Sequence, residues 1–271
     1  MKLLFCGDIV GRAGRAAVTE MLPRLRRDLE LDFIVVNGEN AAGGFGITET
    51  ICQQLYAAGV DVITTGNHVW DQKGTTEFIQ RHPRLLRPDN YPPGTPGNGY
   101  GLFEARGGQR VMVMNVMGRL FMEPLDDPFA AVTERLAGYR LGETADAILI
   151  DVHAEATSEK QALGHYLDGR VSAVVGSHTH VPTSDARVLP GGTAFITDAG
   201  MCGDYESVIG VAKAVPIARF TRKLPTDRMA PADGPATLCG LLVETDDATG
   251  LARRALPVRL GGVLSQELPL R

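Results

Sequence analysis

Cysteine is scarce and poorly spaced for structural work. The four residues, Cys6, Cys52, Cys202 and Cys239, include no C-x-x-C pair, which argues against a zinc finger or a disulfide framework. Long apolar runs are also lacking, and none approaches the roughly 18 residues of a membrane span. The opening Met-Lys-Leu-Leu-Phe-Cys is too short for a secretory apolar core and runs at once into Asp8. A cytoplasmic protein is therefore expected. Positive charge is in deficit: 27 Lys and Arg against 32 Asp and Glu leave a net charge of −5, so no general nucleic-acid surface is expected. Repeats, low-complexity tracts and linkers are absent too. With 44% hydrophobic and 22% charged residues, the chain has an ordinary globular composition and enough length to bury a sizeable core. One domain over residues 1–271 is expected, and nothing in the composition excludes a homo-oligomer.

What is present is a series of short apolar runs that each stop at a polar residue. Leu3–Asp8, Phe33–Asn40, Val60–His68, Ala147–His153 and Val171–His180 read as buried strands, and between the first of them lie segments of helical period. Arg15–Glu30 carries Val18, Met21, Leu22, Leu25 and Leu29 at helical spacing, and Thr48 is placed to cap a helix running to Ala58. Alternating strands and helices predict a parallel sheet with crossover helices. Gly101–Ala105 and Arg110–Val116 read as a hairpin, and Pro128–Leu136 as a helix. Thr157 or Ser158 reads as the cap of a helix to Leu167. After the fifth run the chain reads as mostly β, through Gly192–Thr197, Ile217–Phe220, Thr237–Glu244 and Leu251–Leu260. Two sheets packed face to face with helices outside would use both halves of this pattern. The glycine-rich turn from Gly7 to Gly14 has spacing G-x-x-x-G-x-x-G rather than G-x-G-x-x-G, and no P-loop Lys follows. A dinucleotide fold is disfavoured on that ground.

The run ends collect Asp8, Glu39, Asn40, Asn67, His68, His153, His178 and His180, including four of the six histidines. Open α/β sheets place their sites at the carboxyl edge of the strands, and residues two apart on extended chain point the same way, which would aim His178 and His180 at one spot. Singly, each residue has an ordinary alternative: Asp8 or Asn67 as a helix cap, Glu39 as an arginine partner, His153 as a core histidine. Together, carboxylate, amide oxygen and imidazole without thiolate suit hard to borderline divalent metals such as manganese, iron or zinc. Eight donors can hold two ions ~3.5–4 Å apart, an arrangement that activates water and clamps oxygens at phosphorus. His82 and His165 read as surface residues on helical segments.

Gly7-Asp8, Gly66-Asn67-His68, His153 and Gly176-Ser-His178-Thr-His180 resemble, in order, the motifs of calcineurin-like metallophosphoesterases. Gly38-Glu39-Asn40, Gly66-Asn-His-Val-Trp-Asp71, Arg87-Pro-Asp-Asn-Tyr-Pro and Asp204-Tyr-Glu-Ser-Val-Ile-Gly210 are similar to the bacterial YmdB-like branch, from residue 1 to about 260. The resemblance implies an α/β fold, specifically a four-layer α/β/β/α sandwich of two mixed sheets flanked by helices. It also implies a binuclear phosphodiesterase, often iron-containing, that hydrolyses small phosphodiesters or cyclic nucleotides (2′,3′- or 3′,5′-cyclic) with a hydroxide held between two ions. The superfamily pattern begins Asp-x-His, but Val10 fills the third position here, and Glu39 replaces the usual bridging aspartate. On this pattern Asp8, Glu39, Asn40 and His180 are expected at one metal, and Glu39, Asn67, His153 and His178 at the other. His68 is left over as the acid for the departing oxygen, with Asp71 holding its second nitrogen. The competing reading is a metal-anchored nucleotide-binding regulatory protein with little catalysis. Selectivity is expected from loops such as Tyr91–Tyr100 and Met201–Gly210.

Overall fold

The computed structural model describes residues 1–269. In chain order it contains β1 (Lys2–Cys6), α1 (Gly11–Asp28), β2 (Phe33–Asn37), α2 (Glu49–Ala57), β3 (Val62–Thr64), α3 (Thr75–Phe78), β4 (Tyr100–Glu104), β5 (Arg110–Met117) and α4 (Pro128–Leu136). There follow β6 (Ala147–His153), α5 (Thr157–Tyr166), β7 (Ala173–Ser177), β8 (Arg187–Val188), β9 (Ala194–Ile196), β10 (Gly203–Asp204), α6 (Ala214–Arg222), β11 (Ala236–Thr245) and β12 (Ala252–Gly261). The strands form two mixed sheets of six. One has the order β10-β11-β1-β2-β3, with β12 on β11; the other has the order β4-β5-β6-β7-β9-β8. Within them β1, β2 and β3 are parallel, as are β5, β6, β7 and β9, while β11 runs antiparallel to β1.

The two-residue period of the strands sorts their side chains into three apolar layers. Leu3, Phe5, Phe33 and Val35 of the first sheet meet Val111, Val113, Leu149 and Val175 of the second. The alternate residues Leu4, Cys6, Ile34 and Val36 face Val18, Leu22 and Leu25 of α1 and Leu55 of α2. On the far side Ile148, Ile150 and Val174 face Val132 of α4 and Leu163 of α5. Central strands covered on both faces read as continuous apolar runs, so the sequence shows them plainly. The expected four-layer α/β/β/α sandwich is the observed fold.

Several local expectations change. Ile217–Phe220 is helical, inside α6, which is exposed along most of its length with Pro216 buried. Without a core-facing stripe, its short apolar run resembles a strand. The first helix begins at Gly11 rather than Arg15, and neither Asp8 nor any other side chain caps it. Thr48 does cap α2, whereas α5 starts from Ala156 with no side-chain cap. His165 is exposed, but His82 is half-buried, with its ring edge-on to Phe78 and Nε2 2.8 Å from Glu49. No helix among the described residues is long and apolar enough to cross a membrane.

Candidate metal and catalytic site

The carboxyl ends of β1, β2 and β3 in one sheet and of β6 and β7 in the other bring all eight expected residues to one edge of the sandwich. One group converges on His153 Nε2, which lies 3.0 Å from Asn67 Oδ1, 3.1 Å from Glu39 Oε1 and 3.1 Å from His178 Nδ1. In a second, His180 Nε2 lies 3.2 Å from Asn40 Oδ1. Asp8 adjoins both: Oδ2 accepts from the His178 backbone N–H at 3.1 Å, and its charge acts on His180 and His153. Asp8, Glu39, Asn40, His153 and His180 are buried, while Asn67, His68 and His178 are half-buried.

Hydrogen bonds at the rear of each ring decide which nitrogen faces inward. Ser177 donates its only hydroxyl proton to Asp151 Oδ1 at 2.7 Å, so it accepts from His153 Nδ1 at 2.9 Å. The neutral His153 ring therefore presents an Nε2 lone pair. His180 donates through Nδ1 to the Ile209 carbonyl at 2.7 Å. His178 Nε2 sits 3.3 Å from the Glu155 carboxylate, which leaves its Nδ1 lone pair inward. Asn40 gives its amide N–H to the Gly44 carbonyl, so its oxygen faces His180. With His153 neutral the inward atoms are thus all acceptors, and acceptors 3 Å apart are reconciled only by a proton or a cation between them. Asp8 Oδ1 is also buried without any hydrogen bond, a state costly to leave uncompensated, and Glu39 Oε1 has only His153 Nε2 beside it at 3.1 Å. The donor set fits divalent ions. Gly66 leaves the room, since a Cβ there would overlap the His153 ring and the Glu39 carboxylate.

The electrostatics show the same demand for positive charge. Burial works against a charged His153, but the carboxylates of Glu39, Asp8 and Asp151 outweigh it and raise its pKa to about 9. Burial likewise opposes ionised Glu39, yet His153 and the His68 backbone N–H bring it down to about 2. Burial pushes Asp8 upward, and with the neighbouring His153 charge it lowers His178 to about 3. A proton on His153 fills the role that a metal ion would take.

The expected cause of the His178 and His180 alignment does not hold. β7 ends at Ser177, and both histidines have left-handed backbone, with φ of 94° and 66°. The turn between them is clamped, with His178 directed to His153 and His180 to Asn40. Buried Asp198 accepts from the Thr179 N–H at 3.1 Å, the Thr179 hydroxyl at 2.6 Å and the Lys160 ammonium at 2.7 Å. Sequence reasoning misses Asp198, Lys160, Asp151 and Ser177. Asp151 and Asp198 carry a legible signal, as carboxylates in or just after apolar strands. The glycine-rich turn is no phosphate cradle, because the amides of Ile9, Val10, Gly11 and Gly14 all bond within the protein.

A four-layer sandwich with an acceptor cluster at the common strand edge defines a metallophosphoesterase-like protein. The chain belongs to the YmdB-like protein family, whose model matches residues 4–258. It is 49% identical to the 2′,3′-cyclic-nucleotide 2′-phosphodiesterase of Bacillus subtilis (strain 168), over 92% of this chain and 93% of that one. A hypothetical protein from Thermus thermophilus has the same fold at TM-score 0.90 and 43% identity, covering 97% of this chain and 100% of that one. A novel phosphatase from Mycoplasma pneumoniae superimposes at TM-score 0.89 and 32% identity, covering 99% and 95% respectively.

Proposed function

We propose that this chain is a metal-dependent phosphoric diester hydrolase acting on small phosphodiesters, with nucleoside 2′,3′-cyclic or 3′,5′-cyclic phosphates as the leading class. The observation that carries the reading is the convergence of Glu39, Asn67 and His178 on the His153 lone pair, within a chain similar to a 2′,3′-cyclic-nucleotide 2′-phosphodiesterase. Asp8, Glu39, Asn40 and His180 would hold one ion, and Glu39, Asn67, His153 and His178 the other. Iron or manganese suits this donor set best, with zinc also compatible. Two bound ions would supply an activated water and neutralise charge on the phosphoryl oxygens. The protein's own contribution is orientation and proton delivery. Ser177, Ile209 and Glu155 hold the three imidazoles with their lone pairs inward. His68 gives its backbone N–H to Glu39 Oε2 at 3.0 Å and anchors Nδ1 on Asp71 at 2.7 Å. That anchoring leaves Nε2 to protonate the departing oxygen. A pure binding site has little use for such an acid, which favours the hydrolase over the regulatory reading. The experiment is hydrolysis of a panel of cyclic nucleotides alongside elemental analysis. Up to two transition-metal ions per chain and metal-dependent turnover are expected. No bound metal, and no activity on adding manganese or iron, would overturn the reading.

A further inference from the structure

A cleft of about 140 Å³ opens beside the site. Asn40, His68 and His180 form its inner wall, so it begins where a phosphodiester would lie. Val10, in the position where the superfamily pattern has a histidine, lines it as an apolar residue. Phe45, Val211, Met229 and Pro231 supply the outer walls. Phe45 also stands edge-on to the His68 ring at 5.1 Å. Whatever the departing oxygen belongs to must pass this wall, because His68 is the group placed to protonate it.

Much of the polar backbone around the cleft is already engaged. The Gly44 carbonyl accepts from Asn40 at 3.0 Å, and the Ile209 carbonyl from His180 at 2.7 Å. Val211 exchanges N–H and C=O with Val208 at 2.9 Å, and the Gly210 and Ala230 carbonyls accept from Ala232 and Ala212. The side-chain walls therefore offer chiefly apolar contact and shape, and the Met229–Ala230 rim leaves backbone N–H and C=O groups without a bond among the described residues. An apolar cavity near 150 Å³ accommodates a benzene-sized ring, while an acyl chain would outrun it. We infer that this cleft is a base subsite, which takes the planar base of a nucleoside phosphodiester by stacking and shape without reading its hydrogen-bonding edge. The inference rests on the hydrolase reading and adds the substrate feature that reading leaves open. Of the two loops expected to set selectivity, Met201–Gly210 reaches the cleft through Ile209 and Gly210. Tyr91 of the other packs edge-on to Trp70 instead.

The test compares kcat/KM of the metal-loaded protein on the four common nucleoside 2′,3′-cyclic phosphates and on base-free glycerol 1,2-cyclic phosphate. Base stacking by itself accounts for roughly a 5- to 150-fold preference, so the base-free diester should be worse by on the order of 10-fold or more, chiefly in KM. The four bases should agree within about 5-fold, since a site built to read hydrogen bonds discriminates by about 10⁴ or more. Val211→Phe fills the cleft, and Met229→Trp does so from the exposed side if the first variant fails to fold. Each should lose at least 10-fold more on nucleotides than on the glycerol compound. Equal losses, or a parent enzyme indifferent to the base, would overturn the subsite. A preference beyond about 100-fold for one base would overturn its indifference. If no diester is turned over at all, the hydrolase reading falls, and binding to the manganese-loaded protein decides the cleft separately. Nucleoside 3′-monophosphates binding more tightly than glycerol phosphate, with the advantage lost in Val211→Phe, supports the subsite; equal affinities refute it.

Discussion

At His68, Nδ1 is tied to Asp71, and Nε2 makes no hydrogen bond among the described residues. A ribose alkoxide leaves poorly without a proton, whereas a nitrophenolate does not need one. His68→Ala should therefore slow hydrolysis of a cyclic nucleotide by on the order of 10²–10⁴ and that of an aryl diester much less, with metal content unchanged. Equal losses at saturating metal would remove the acid role, provided chemistry limits both rates. Asn40 faces His180 as an amide oxygen, so Asn40→Ala should weaken one metal and leave the fold intact; a metal titration matching the parent would mean that water fills the gap. His153 sets the pH dependence. Its proton, held up to about pH 9, must leave when an ion binds, so affinity should fall as pH drops, by up to about tenfold per unit for one displaced proton. Titrations at pH 8.5 and 6.5 would show it, and equal affinities would contradict it. In the metal-free protein the raised His153 value contributes stability present below its ordinary 6.5 and lost as pH rises through about 9. The lowered Glu39 value contributes stability present above its ordinary 4.5 and lost as pH falls through about 2.

Among the elements, the turn after β7 shows how secondary structure and site depend on each other. Two non-glycine residues in left-handed backbone persist only where their surroundings hold them, and here Asp198 does so through Thr179. Lys160→Met would leave that carboxylate buried without its cation, at a cost of about 3–5 kcal/mol measurable by denaturant unfolding. Thr179→Val keeps the volume but loses the hydroxyl donor, so it should lower metal occupancy more than stability. Unchanged metal content would refute the clamp. These elements also show where sequence is readable. Strands buried on both faces spell continuous apolar runs, and a run that ends at a metal-ligand residue type marks the candidate site edge in the sequence itself. The clamp is hidden because Lys160 and Asp198 meet only through the fold, and the charge on Lys160 looks like any first-turn residue of a helix. The left-handed histidines are hidden because nothing in Ser-His-Thr-His distinguishes a continuing strand from a tight turn. Helix α6 reads as a strand because its outward Ile217 and Phe220 face no core.

Taken as a whole molecule, the proposed ligands come from both sheets: Asp8, Glu39, Asn40 and Asn67 from one, and His153, His178 and His180 from the other. Bound ions would then fasten the two sheets together. Free metal at about 100 times its dissociation constant should add about 2.7 kcal/mol to stability, so a chelator should lower Tm, and re-addition should restore it. A Tm indifferent to chelator would contradict ligation across the sheets. The order of the first sheet has a further consequence, for synthesis. The inner neighbour of β1 is β11, whose first residue is Ala236. At ~5–20 residues per second, a ribosome needs on the order of 10–50 s to go from one to the other. Throughout that time the nascent chain carries an apolar strand with an open edge, the kind that pairs with other chains. β11 therefore acts as the chain's own seal, and truncations before it should aggregate during translation.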